Sequence, residues 1–175
     1  MLFIDQLLLE NDQLLLENDE FRLSWRYSIL SKTYIHYGHK HFDQSLFSPI
    51  KNMHSLTKPI GGLWASDVDA VRGWKDWCDD NEFREYEKDN SFKFTLVDAN
   101  ILTINSSNDL ENLPKVENKY GMFSWVILDF EKISQEYDAI EVNISSDGML
   151  YYSLYGWDCD SILVMNPDVI QEIKR

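Results

Sequence analysis

Lys58-Pro59-Ile60-Gly61-Gly62-Leu63-Trp64-Ala65-Ser66 is the stretch on which the fold turns. Two adjacent glycines run straight into an aromatic residue with small neighbours. Gly61 and Gly62 accept positive φ and allow close backbone approach, so the strand that follows can present the flat face of Trp64 beside uncovered main chain. Such a surface suits a planar, phosphate-bearing ligand. Read alone, the same stretch is a glycine turn leading into a buried strand whose Trp belongs to the core. What tips the reading towards a ligand is the unusual strand upstream of it, Thr33-Tyr34-Ile35-His36-Tyr37-Gly38.

Outward from these two strands, the pattern predicts an α+β fold. A first strand is expected at about 32–38, followed by a long mixed segment, 39–57, anchored by Phe42, Phe47 and Pro49. After the Gly-Gly-Leu-Trp strand, residues 67–82 read as a helix with Ser66 or Asp67 as N-cap and Val71, Trp74, Trp77 and Cys78 on one stripe; tryptophans at that spacing belong to a core. Residues 92–97 and 101–104 read as a hairpin around Asp98-Ala99-Asn100, and 109–113 as a short turn or helix. Further strands are expected at 123–127, 138–142, 150–154 and 161–165, with a helix near 130–137. Few helices and about seven short strands imply a largely antiparallel sheet in a single domain over 21–175.

Composition sets the outer limits. The 175 residues suffice for one domain with a substantial core, and an aromatic content of 14 %, with six Trp, nine Tyr and nine Phe, argues against disorder. Cys78 and Cys159 lie far apart, without the spacing of a metal site or a disulfide framework. His36, His39 and His41 cluster in sequence, but residues 36 and 39 fall on opposite faces of a strand and no carboxylate or Cys pattern completes a ligand set, so no metal is expected. Residues 1–9 are apolar but interrupted by Asp5 and Gln6, with no basic region before them. Neither a signal peptide nor a membrane span follows, and a cytoplasmic location, in a bacterial or phage-infected cell, is the expectation.

Thirty acidic against 16 basic residues give a formal charge of −14. Such a surface repels phosphate backbones, which makes nucleic acid a poor partner, although an acidic chain can also act as a decoy for a nucleic-acid-binding protein. The plainest role of the charge is solubility. At the N-terminus, Gln6-Leu7-Leu8-Leu9-Glu10-Asn11-Asp12 is repeated identically as Gln13 to Asp19. The seven-residue period keeps the leucines on one side of a helix for two heptads. Residues 1–20 therefore read either as an arm that docks on the domain, on a partner or on a second copy through Leu7 to Leu16, or as a recent duplication in a dispensable extension.

The two opening strands resemble the first signature segments of the ADP-ribosyltransferase superfamily, in the branch similar to diphtheria toxin. There, one strand carries a His closely followed by Gly, and a later Gly-x-aromatic strand stacks on nicotinamide. The resemblance puts His36, with Tyr37 and Gly38, at the His position, where the family anchors the NAD ribose and carboxamide. It puts Gly62-Leu63-Trp64, after Gly61, at the Gly-x-Tyr position, with Ser66 lining the pocket. The segment Cys159 to Ile170 is similar to the family's last catalytic strand, a Glu or Gln followed by an apolar run and a polar-Pro turn. Here Asn166-Pro167 supplies the turn and Ser161 stands where the Glu or Gln is expected. Asp160 is one residue away and on the opposite face of a strand, and Asp158 shares its parity; Glu141, on a neighbouring strand, is the other candidate carboxylate. The resemblance covers about residues 32–170. It implies an ADP-ribosyltransferase-like fold, NAD as cofactor and transfer of ADP-ribose to a macromolecular acceptor, a protein rather than nucleic acid, in a toxin, phage or anti-defence setting. The competing expectation is a non-enzymatic acidic inhibitor of nucleic-acid-mimic type on the same fold.

Overall fold

The computed structural model describes residues 32–53, 57–83, 88–118 and 125–174; the leucine repeat lies outside them. Seven strands, β1 (Tyr34–Tyr37), β2 (Leu63–Asp67), β3 (Ser91–Leu96), β4 (Ile101–Ile104), β5 (Ala139–Val142), β6 (Ser161–Val164) and β7 (Ile170–Glu172), make one open sheet in the order β4-β5-β6-β2-β1-β3-β7. Every pairing is antiparallel except β4 with β5. Among the described residues, three short helices, α1 (Trp74–Asn81), α2 (Phe130–Ile133) and α3 (Gly148–Ser153), complete an α+β architecture. None of the described helices is long and apolar enough to cross a membrane.

Register divides the core into two layers. One sheet face carries Tyr34, Phe92 and Phe94, joined by Ala65, Ile162, Val164 and Ala139. The opposite face of the β4-β5-β6 half, with Ile104, Ile140, Val142 and Leu163, packs against Phe130, Ile133, Leu150, Leu154 and Trp157. All four residues of β5 are buried, as a strand covered on both faces requires.

Several sequence expectations are corrected. Residues 92–97 and 101–104 form no hairpin: β3 pairs with β1 and β7, whereas β4 pairs with β5 at the far edge of the sheet. The intervening loop is drawn away by Asn100, whose amide donates to the Glu136 carbonyl (2.9 Å) and whose N–H reaches Asp138 (2.8 Å). Residues 150–153 belong to α3, with Leu154 as its C-cap, not to a strand; Leu150 and Leu154 are both fully buried, four residues apart on one side of the turn, and Asp147 caps the helix through Met149 N–H. Residues 125–127 form no strand, and Phe123 and Ser124 fall outside the described residues.

The helix expected from residue 67 begins at Trp74, because β2 continues to Asp67. Val71 is fully outside the apolar stripe, 88 % exposed, while Cys78 is buried. The Asp76 carboxylate accepts from Gly73 N–H at 3.1 Å, and Ser66, from β2, caps the same helix at long range by accepting Trp74 N–H at 2.9 Å. Gly61 and Gly62 do make the expected turn. At φ 85° and 69° they pass so close to Ser48, Pro49 and Val164 that a Cβ at either would meet backbone oxygen.

Candidate functional site

The β1–β2 ladder stops after two pairs, Tyr34↔Asp67 and Ile35↔Ser66. Beyond them the His36 ring takes over, its Nδ1–H donating to the Trp64 carbonyl at 2.7 Å. A side chain thus satisfies an oxygen that the ladder leaves over, and the interval between the strands opens into a cavity of about 300 Å³. Its walls come from distant parts of the chain: Ile35, His36 and Tyr37 on β1, Trp64, Ala65 and Ser66 on β2, Trp74 at the start of α1, Lys58, and the Asp158-Cys159-Ser161 segment entering β6.

The polar groups in it are specifically held. With Nδ1 donating to a carbonyl, His36 Nε2 is left as an acceptor, and it lies 3.2 Å from His39 Nδ1. Burial lowers the His36 pKa; the Trp64 carbonyl opposes that and His39 reinforces it, so the ring is neutral at pH 7. Lys58 Nζ sits 3.3 Å from Asp158 Oδ2 and 5.5 Å from the centre of the Trp64 ring, bridging the cavity's carboxylate to its indole. Trp64 is braced edge-on by the buried Trp157, centroids 4.7 Å apart. Burial pushes the Cys159 thiol up to about 12, so it stays protonated and is no nucleophile. Ser66 Oγ donates to the Asp160 carbonyl at 3.0 Å while accepting from Trp74, and Ser161 Oγ donates to the Cys159 carbonyl at 3.1 Å, leaving its lone pairs to the cavity.

Of the residues expected to form a site, the fold brings His36, Tyr37, Trp64, Ser66 and Ser161 to one cavity. Gly38, Gly61, Gly62 and Leu63 do not line it: Gly38 turns the chain at the end of β1, the two glycines pack against Ser48 and Val164, and Leu63 lies against the other core layer. Asp160 is buried and faces away. Its carboxylate accepts Ser145 N–H (2.9 Å), Ser145 Oγ–H (2.6 Å) and Arg72 N–H (3.3 Å), the pattern of a structural anchor. Glu141 is also buried and pairs across the sheet with Ile162, which puts it on the opposite face from Ser161. It is held there by Lys32 Nζ at 2.9 Å and the Tyr34 hydroxyl at 3.3 Å.

Asp158 is instead the carboxylate of the cavity. Strand alternation does not reach residue 158, because β6 begins only at Ser161 and the irregular segment 157–160, bent at 159–160, follows Gly156, whose φ is 99°. Alternation does not constrain a bend. Gly156-Trp157 was the available signal, since a glycine before a large aromatic punctuates a helix end. His39 is likewise nearer to His36 than strand alternation allows, because Gly38 at φ 131° folds the chain back and stacks the two rings 5.5 Å apart. No protein-family model matches the sequence, and no curated protein and no solved structure matches the chain significantly.

Proposed function

We propose that this chain is an NAD-dependent ADP-ribosyltransferase with an ADP-ribosyltransferase-like fold, binding the nicotinamide end of NAD between β1 and β2 and transferring ADP-ribose to a protein acceptor. The observation that carries the reading is the convergence of His36, Trp64, Ser161 and Asp158, from three distant segments, on one cavity between two splayed strands. In this reading nicotinamide stacks on Trp64, the neutral His36 positions the ribose side, and Asp158 takes the role of the acid that position 161 lacks.

The reaction breaks the bond between the nicotinamide nitrogen and the ribose C1′. Nicotinamide leaves neutral with the bonding pair, positive charge builds on the ribose ring, and a nucleophile of the acceptor forms the new bond to C1′ and gives up its proton. A carboxylate at the ribose stabilises the developing charge. Stacking and the imidazole hold the leaving group in line. Asp158 performs this role once Lys58 is displaced from it, and the net charge of −14 favours a protein over a nucleic-acid acceptor.

Incubation of the protein with labelled NAD and a bacterial lysate tests this. Label is expected on a discrete protein, and is lost in Trp64→Ala and in Asp158→Asn. Because Asp158 makes only a partly exposed ion pair, Asp158→Asn changes stability by no more than about 1 kcal/mol. NAD at about 100 times its dissociation constant adds about 2.7 kcal/mol of stability. Absence of both label and stabilisation overturns the reading and leaves the acidic interaction protein.

A further inference from the structure

Exposed apolar side chains gather along α3 and just beyond its cap: Met149 is 61 % exposed, Tyr151 40 %, Tyr152 66 % and Tyr155 52 %. Leu150 and Leu154 take the inner side of this turn and are fully buried, which leaves the tyrosines between and after them facing outward. The rings form one connected row. Tyr152 meets Tyr151 at 6.0 Å between centroids, Tyr151 meets Tyr155 at 6.4 Å, and Tyr155 stacks flat on Trp125 at 4.9 Å. None of the four rings belongs to either core layer. The backbone beneath them is tied down, because Val126 N–H donates to the Ser153 carbonyl at 2.8 Å and the Thr57 hydroxyl donates to the Tyr155 carbonyl. Tyrosines already packed on one another lose little rotamer freedom on binding, and interfaces favour Tyr and Trp for that reason.

The charge beside the row is of one sign. From Ile133 to Ile173 the sequence holds no Lys, Arg or His against eight carboxylates, of which Glu141, Asp158 and Glu172 pair with Lys32, Lys58 and His41 from outside that stretch. At the start of α3 the Asp147 carboxylate accepts from Ser107 and Met149 N–H, and in the adjoining turn Asp109 accepts from Asn105 and Ser106 N–H. These bonds hold both carboxyls below the ordinary value, so both are ionised at neutral pH, and their partners are backbone dipoles and not cations. Lys115, in the loop after that turn, donates to the Glu111 and Leu113 carbonyls. A row of aromatic faces beside such carboxylates fits a planar cation: a guanidinium lies flat on Tyr or Trp and donates in its own plane to a carboxylate, whereas an ammonium acts only as a point charge. A second copy of the chain, with the same charge of −14, is repelled from it, as is a phosphate backbone. We infer that the tyrosine row of α3 is a docking surface for an arginine-rich segment of another protein. The inference stands whether or not the cavity between β1 and β2 takes NAD.

Fluorescence anisotropy at physiological salt tests it, with a labelled peptide of alternating Gly and Arg and with its Lys and citrulline counterparts as separate probes. The Arg peptide is expected to bind, the Lys peptide about 3–10-fold more weakly, and the uncharged citrulline peptide not at all. Tyr152→Ser/Tyr155→Ser changes two side chains that are more than half exposed, so urea unfolding is expected to match that of the native chain, while affinity for the Arg peptide falls by a similar factor, about 3–10-fold. Leu46→Ser, at a comparably exposed apolar residue elsewhere, leaves that affinity unchanged. No binding of the Arg peptide at millimolar concentration overturns the site. Equal affinity for the Arg and Lys peptides, or an affinity that the folded tyrosine variant retains in full, shows attraction by net charge alone and overturns it too. Sedimentation of the native chain as a dimer that the same double variant dissociates overturns it in favour of a second copy.

Discussion

Replacing Asp160 by alanine separates an anchor from a catalyst. The carboxylate gathers three donors from two segments: Ser145 N–H at 2.9 Å, Ser145 Oγ–H at 2.6 Å and Arg72 N–H at 3.3 Å. Hydrogen bonds to an ionised acceptor contribute about 1.5–3 kcal/mol each. Ser145 is exposed, so in the variant its amide and hydroxyl recover water and the low end applies to both; the long Arg72 contact adds little. The expected loss is therefore about 3 kcal/mol, which in a domain of this size lowers Tm by about 6–12 °C. Asp160→Asn keeps an acceptor for Ser145 N–H but turns an amide towards Arg72 N–H, and loses about 1–2 kcal/mol. Urea unfolding followed by tryptophan fluorescence measures both. A loss below about 1 kcal/mol in the alanine variant, together with abolished ADP-ribosyl transfer, refutes the anchor and returns Asp160 to the chemistry.

Three further outcomes follow from the geometry. On the proposed NAD reading, a ligand stacking on Trp64 has to displace Lys58 from the ring and from Asp158, at a cost of about 0.5–1 kcal/mol for the cation–π contact and about 0.2–1 kcal/mol for the ion pair, so Lys58→Ala is expected to tighten binding of NAD by about 3–30-fold; unchanged or weaker affinity by fluorescence titration counts against the stacking. Burial tends to raise the Asp129 pKa, but the Asn52 amide at 2.8 Å and the Lys132 N–H and ammonium outweigh it and hold it below the ordinary value. The stability this supplies is complete above the unfolded pKa, about 3.9, and is lost as pH falls through the lower folded value; Asp129→Asn flattens the acid limb of stability against pH in urea titrations, and an unaltered limb contradicts the assignment. Gly61→Ala sets a Cβ within 2.6 Å of the Ser48 carbonyl oxygen at a φ of 85°, and loses more than about 2 kcal/mol; a change within about 0.5 kcal/mol means the turn can relax.

What the sequence made legible was local. Gly61-Gly62 before Trp64, His36 before Gly38, and Ser161 ahead of an apolar run are short patterns whose meaning depends on few neighbours, and the cavity has those side chains on its walls. What it hid was non-local. Nothing near Ile101 tells that its partner is Ala139 and not β3, because four apolar residues pair equally well with either strand and the choice is made by Asn100 and Asp138. Leu150 and Leu154 fit alternation and a helical turn alike, and Asp147 as N-cap decides for the helix. Asp158 was hidden because alternation within a strand says nothing of the irregular residues ahead of Ser161, and Lys58 by lying ahead of the glycine turn.

Ser66 has a consequence of a different kind. Its single oxygen accepts from Trp74 N–H and donates to the Asp160 carbonyl, so one atom ties the second strand, the first helix and the entry to the sixth strand. Those three segments are three walls of the cavity between β1 and β2, and their spacing is set by a joint two hydrogen bonds wide. Alanine there frees both bonds at once, and a Cβ added at Gly73 would lie 3.2 Å from that of Ser66, so a side chain at position 73 presses on the same joint. The shape of the recess is thus governed from beneath its floor: the slowest-exchanging amide at its rim is expected to be that of Trp74, and the tolerance of position 66 to change is the narrowest in β2.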